Sequence, residues 1–256
     1  MRFDKFLKNV APAIAMAIAA AGTAGCDSKF TFNGKEGVKL SELDLSGDAP
    51  DTVNLMGPDI VRIVHGDDFS IALEGGDEAK ERMRFILEDG TLSVLRDRES
   101  WGDGENGVAT VTITMPTLRH IVMAGSGQVY AEALAKNAEV AIAGSGSVET
   151  TGLDVESLEV SVAGSGSYRA SGRADALDLN IAGSGSAKLK GLRVDSADIS
   201  IAGSGDADFA SDGNVKANIM GSGNVTVRGS ATCKVKSFGS GTLTCERGET
   251  VDNDSQ

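Results

Sequence analysis

The sequence predicts an all-β protein, a parallel β-helix built from short stacked rungs. Three observations predict it. A Gly-Ser-Gly triplet recurs every 18–20 residues. Apolar and polar side chains alternate strictly on both sides of each triplet. The composition holds 33 glycines, 4 prolines and 4% aromatic residues in 256 positions. Glycine at this level without a Gly-X-Y period points to many turns, and so few aromatic residues leave little bulk for an ordinary globular core.

The triplets begin at Gly125, Gly144, Gly164, Gly183, Gly203, Gly221 and Gly239, in steps of 19, 20, 19, 20, 18 and 18 residues. Two residues before the first glycine stand Met123, Ile142, Val162, Ile181, Ile201, Ile219 and Ser237. Four before it stand Ile121, Val140, Val160, Leu179, Ile199, Ala217 and Val235, with polar residues such as Glu159, Ser161, Asp178 and Asn180 between. The period of two resumes after the triplet, with Val148, Tyr168 and Val225 four residues on and Leu189, Phe209 and Val227 six residues on. Such alternation is a strand with one buried face.

Each rung therefore reads as strand, Gly-Ser-Gly bend, strand, a second glycine turn (Gly152, Gly172, Gly191, Gly229), then a short third segment such as Leu153-Asp154-Val155. A rung this small cannot bury its own inner face, so the next rung must supply main-chain hydrogen bonds and like-on-like stacking. A β-propeller blade needs about 40 residues and four strands. An antiparallel sandwich would not keep the same residue at the same offset seven times.

Residues 1–25 read as a leader. Arg2, Lys5 and Lys8 make a positive start, diluted by Asp4, and Val10 to Ala21 is apolar and too short to span a bilayer. Thr23-Ala24-Gly25-Cys26 resembles a lipobox in which Cys26 is lipidated, although Thr23 replaces the usual leucine. Ordinary cleavage near Ala21 to Gly25 is the alternative. Either way an exported protein is expected. Removing residues 1–25 leaves 21 basic and 36 acidic residues, a formal charge near −15. That surface repels nucleic acid and anionic headgroups, so no nucleic-acid partner is expected.

Residues 26–49 read as a linker. Residues 50–118 are strand-rich without the triplet: Ile60–Val64 and Phe69–Glu74 flank the turn His65-Gly66-Asp67-Asp68, Asp77 to Arg84 has room for a helical turn or two, and Thr91–Leu95 and Val108–Met115 follow. Trp101 to Gly107 reads as an acidic loop. Residues 119–246 are the repeat rungs, completing a β-helix domain over 50–246, and 247–256 read as a disordered tail. Cys233 and Cys245 fall in inward columns of the last rungs. In an oxidising compartment they either form a disulfide or remain as two buried thiols.

The order of parts over about residues 50–246 resembles the DUF2807 family, the "putative auto-transporter adhesin, head GIN domain". The resemblance rests on the strand pair with "V-x-I-x-x-G-D", the segment Asp89 to Val94, the strand Val111 to Leu118, and the ladder of triplets. It implies an exported, frequently lipidated chain folded as a right-handed parallel β-helix, with no established catalytic residues.

No catalytic, cofactor-binding or metal-binding residue is singled out. Ser126, Ser145, Ser165, Ser184, Ser204, Ser222 and Ser240 form a column without a paired histidine, as do Ser147, Ser167 and Ser186; this is a solvated face and not a set of nucleophiles. Asp206 and Asp208 faintly resemble a calcium-binding nonapeptide, but the acids occur in one rung only. His65 and His120 lie far apart in sequence and read as surface residues. The function expected is a non-catalytic envelope lipoprotein, a structural or ligand-binding and adhesion scaffold facing the periplasm or cell surface. It touches the membrane through its lipid anchor only, and its candidate partners are envelope glycan, peptidoglycan or protein. A carbohydrate-active enzyme, a polysaccharide lyase or hydrolase on a β-helix using carboxylates such as Asp206 and Asp208, is the alternative.

Overall fold

The computed structural model describes residues 31–32, 35–97, 107–246 and 250–253. Strand makes up 70% and helix 4% of it, in a parallel β-solenoid. β1 (Thr31–Phe32) and β2 (Lys35–Glu36) form a small antiparallel pair. The following strands share one continuous sheet: β3 (Thr52–Gly57), β4 (Ile60–His65), β5 (Ser70–Glu74), β6 (Met83–Glu88), β7 (Thr91–Arg96), β8 (Thr110–Met115), β9 (His120–Gly125) and β10 (Gln128–Ala131). It continues through β11 (Asn137–Gly144), β12 (Ser147–Gly164), β13 (Ser167–Gly183), β14 (Ser186–Gly203), β15 (Asp206–Gly221), β16 (Asn224–Arg228), β17 (Thr232–Gly239), β18 (Thr242–Cys245) and β19 (Thr250–Asn253). A short α-helix, α1 (Asp77–Glu81), lies between β5 and β6, and a 3-10 turn (Leu40–Glu42) precedes β3.

The triplets stack in register, Gly125 on Gly144, Gly144 on Gly164 and so on to Gly221 on Gly239. Their inward column, Met123, Ile142, Val162, Ile181, Ile201 and Ile219, is at most 2% exposed. The columns after the bend, Val129 to Val225 and Ala131 to Val227, are also buried, at most 6% exposed, and there the Tyr168 hydroxyl lies 2.7 Å from the Thr150 hydroxyl. Burial holds the Tyr168 phenol protonated well above its usual range, against the opposing effect of the Thr150 bond.

The bends need glycine for two different reasons. Gly144 sits at φ +115°, and a Cβ there would lie 2.5 Å from the Gly125 carbonyl oxygen. Gly166, the third residue of its triplet, turns inward, where a Cβ would meet Ile142 Cγ2 at 2.6 Å. The middle serine points out. Its amide keeps the ladder unbroken through the corner, as Ser165 N donating to Gly144 O at 2.9 Å does.

The amino-terminal strands belong to the same solenoid. β3 pairs with β9, and β4 with β10, so that Gly57-Pro58-Asp59 occupies the slot of a triplet one rung before the first Gly-Ser-Gly. β7 and β8 pair with the opposite edges of β3 and β4. The rung of residues 52–65 therefore lies between β7 with β8 on one side and β9 with β10 on the other, and spatial order departs from chain order. β5 and β6 close this end by pairing antiparallel with β8 and β7, with Phe85, Met83 and Ala79 of α1 buried beneath.

Two segments flanking 50–246 make contacts with the solenoid. Within 26–49, read as a linker, Val38 bridges Phe85 at the edge of the cap, and Leu40 and Leu43 pack on the core. Apolar residues at that spacing had a surface to cover. Within 247–256, read as a tail, β19 runs parallel to β17 beside Cys233 and Val235, because the last rung still offers an open edge. The leader, Cys26 and residues 101–106 of the acidic loop lie outside the described residues.

Candidate binding faces

The bend, the second glycine turn and a third corner, where Glu156 N and Ser157 N both donate to the Lys136 carbonyl, separate three outward-facing segments of the rung. Parallel in-register pairing puts like positions about 4.8 Å apart, so each face is ruled by columns. On the face before the bend, Glu139, Glu159, Asp178, Asp198, Lys216 and Lys234 occupy one column in that order. His120 precedes them, its Nδ1 lying 3.1 Å from Thr52 Oγ1. Partial burial, and then the carboxylates of Glu139 and Asp178, push the Glu159 carboxyl above its ordinary value. Asp178 accepts a 2.9 Å hydrogen bond from Asn180. Next to the bend runs a column of alanines, Ala143, Ala163, Ala182 and Ala202, which ends in Met220 and Phe238.

The face after the bend carries Ser147, Ser167 and Ser186, followed in register by Asp206, Asn224 and Thr242. The last three form a side-chain ladder. Asp206 Oδ1 accepts from Asn224 N at 3.2 Å and Nδ2 at 3.1 Å, and Thr242 donates to Asn224 Oδ1 at 2.9 Å. Asp208 stands beside Lys190 at 3.7 Å. Arg62 lies 5.0 Å from the centre of the Tyr130 ring. The third face is laced by exposed ion pairs, Lys136–Asp154 at 2.6 Å, Arg193–Asp212 at 2.9 Å and Arg173 with Asp175 and Asp195. The Lys136 bond lowers the Asp154 carboxyl and raises the Lys136 ammonium from their ordinary values.

The structure brings Cys233 and Cys245 together as a disulfide with Cα atoms 6.7 Å apart. The serines of the bends are all exposed. Asp206 and Asp208 sit two residues apart on one strand and are engaged separately, the first in the ladder and the second near Lys190. His65, at the exposed end of β4, is nowhere near His120 in the register. Among the described residues no three or more His, Cys, Asp or Glu side chains are grouped to hold a metal ion. A shallow cleft of about 160 Å³ lies between Met115–Leu118 and Ala133–Ala135 with Ile63 and His65 on its wall. That is smaller than the few hundred Å³ of ordinary ligand pockets.

Sequence reasoning missed one polar pair. Asp59, in the place of the third triplet glycine, accepts 3.0 Å from Arg96 Nε, is met by Arg96 Nη2, and accepts 2.9 Å from Ala109 N. Asp59 is 0% and Arg96 4% exposed, and Arg96 also donates 3.1 Å to the Gly107 carbonyl. The two charges neutralise each other beside the corner at Gly57-Pro58-Asp59, where β7 ends and the chain re-enters at Gly107 ahead of β8. The only signal was an aspartate two residues after Gly57, which carries no meaning until the register is known.

A parallel solenoid, capped at one end and ruled outside by in-register polar columns, is the class of protein these strands define. Within it, the chain belongs to the DUF2807 family, "Putative auto-transporter adhesin, head GIN domain", which matches residues 49–231. No curated protein sequence matches the chain. Among solved structures, the fold is similar to that of a "putative adhesin" from Bacteroides fragilis, at TM-score 0.71 and 24% identity over 77% of this chain and 93% of that one. It is also similar to a "putative lipid binding protein" from Parabacteroides distasonis, at TM-score 0.61 and 21% identity over 77% of this chain and 93% of that one. A "putative adhesin" from Parabacteroides merdae follows at TM-score 0.58 and 19% identity, covering 77% and 92%. Among the described residues no helix is long and apolar enough to cross a membrane.

Proposed function

We propose that this protein is an exported, lipid-anchored envelope protein that works without catalysis, presenting flat solenoid faces to a partner on the cell surface or in the periplasm. The observation that carries this reading is the ruling of the faces. Among the described residues, polar groups outside the solenoid are spread into columns of repeated chemistry, Ser147 to Ser186 on one face and the bend serines at the corner, and not drawn together around one reacting point. Repeated columns on a rigid rod suit an extended partner such as envelope glycan, peptidoglycan or another protein. The adhesin descriptions of the family and of two similar structures agree with it.

The anchor is Cys26, lipidated after removal of residues 1–25. Mass spectrometry of the mature chain tests it. An acylated amino-terminal Cys26 supports the proposal, and a chain beginning elsewhere with free Cys26 defeats it. Binding of the full chain to whole cells and to isolated peptidoglycan tests the display role. Turnover of a polysaccharide by the purified chain, abolished by Asp206→Ala with Asp208→Ala, would overturn the non-catalytic reading.

A further inference from the structure

The outer face before the bend has an organisation that repetition alone does not produce. Its charge column changes sign once, from Asp178 and Asp198 to Lys216 and Lys234. Its column beside the bend changes size at the same level, from Ala182 and Ala202 to Met220 and Phe238. Three large apolar side chains stand exposed among the described residues, and two of them are Met220 at 45% and Phe238 at 58%, adjacent in this column. Among the described residues no ion pair includes Asp198, Lys216 or Lys234.

Both changes fall between the rung of Asp198 and the rung of Lys216. A two-fold axis placed there, in the plane of the face and along the strands, turns the face onto itself. It reverses the solenoid axis and keeps every column opposite its own copy. Asp198 then faces Lys216 of the second copy and Asp178 faces Lys234. Met220 meets Ala202 and Phe238 meets Ala182, large against small. In the column between, Ser200 meets Asn218 and Asn180 meets Lys236. Every pair is complementary, which is the requirement of an isologous contact.

We infer that the carboxy-terminal half of this face docks a second copy of the chain, solenoid axes antiparallel. Four rungs at about 4.8 Å and six residues at about 3.3 Å give a contact of roughly 400 Å² per partner. That lies below a stable dimer and in the range of weak, transient association. The capped ends, where Val38 meets Phe85, point away from each other. With the anchor proposed above, such a pair bridges two anchoring surfaces; the self-association itself does not rest on that anchor.

Sedimentation equilibrium of the full chain carrying Cys26→Ser, so that no lipid contributes, tests the inference. A concentration-dependent monomer–dimer equilibrium is expected, weakened about tenfold or more between about 0.05 M and 1 M salt. Lys216→Glu with Lys234→Glu makes all four positions acidic, and Asp178→Lys with Asp198→Lys makes all four basic. Each variant alone is expected to be monomeric, and their equimolar mixture to associate at least as tightly as the parent. Circular dichroism and melting of each variant establish that it is folded. A parent that stays monomeric at millimolar concentration overturns the inference. So do swapped variants that still dimerise alone, or folded ones whose mixture does not associate. Phe238→Ser with Met220→Ser, which leaves the charges in place, is expected to abolish the parent's dimer, and a dimer unchanged by it also overturns the inference.

Discussion

Arg96, at the last position of β7, and Asp59, two residues past the end of β3, are joined as a buried pair across 37 residues of sequence. They tie β7 and the start of the segment leading into β8 to the rung of residues 52–65 at its Gly57-Pro58-Asp59 corner.

Removing one partner strands the other charge in a site closed to water. Asp59→Ala is expected to destabilise the fold by about 3–5 kcal/mol, as is typical for a broken buried pair. Denaturant unfolding measures it. A double-mutant cycle with Arg96→Met should show the second substitution costing far less than the first, because no lone charge then remains. An equal cost for each, simply additive, would contradict the coupling.

The second and third positions of a triplet should differ sharply in tolerance. Gly166→Ala drives a methyl against Ile142 Cγ2 and the Gly146 carbonyl, 2.6 and 3.0 Å from the new Cβ. A loss of about 1–3 kcal/mol is expected from overpacking. Ser165→Ala, on the exposed middle position, should stay within about 0.5 kcal/mol of the parent. Thermal melting of the two variants side by side makes the comparison.

The disulfide closes a loop of sequence separation 12 at the open end of the solenoid. Cys233→Ser with Cys245→Ser is expected to cost about 2–4 kcal/mol. In a stacked rod that loss falls on the terminal rung first. Hydrogen exchange should therefore rise in β17 and β18 and stay unchanged in β12 and β13. Uniform loss of protection along the chain would contradict it.

Glu159 is held above the ordinary glutamate value of 4.5 by partial burial and then by Glu139 and Asp178. The folded state thus binds this proton more readily than the unfolded chain does. Its contribution is fully present below pH 4.5 and is lost as pH rises through the raised value. Glu159→Gln is expected to raise stability near neutral pH by about 0.5 kcal/mol, the scale of a half-exposed repulsion between neighbouring strands. The gain should vanish in acid. A variant less stable than the parent at pH 7 would contradict this.

Much of this was legible because a solenoid converts sequence offset into spatial position. The side chain two residues before each triplet always meets its own kind on the next rung, so Ile142, Val162 and Ile181 read as one column before any coordinate is known. The same logic put Cys233 and Cys245 on the inside of neighbouring segments of the last rungs, where they bond. Gly57-Pro58-Asp59 escaped notice because only its first residue keeps the triplet's chemistry, although its backbone fills the same slot. The cap escaped because Val38 and Phe85 lie far apart along the chain and nothing periodic connects them.

By itself, then, the sequence determined the rung, its bend and what lies inside, since those follow from a local period of two and from where a Cβ cannot fit. Tertiary structure alone decided that residues 52–65 are threaded between β7 with β8 and β9 with β10, and that Asp59 finds Arg96. Strands of equal length and like pattern pair equally well in several orders. The choice among those orders is made by contacts between distant segments, which no local pattern records.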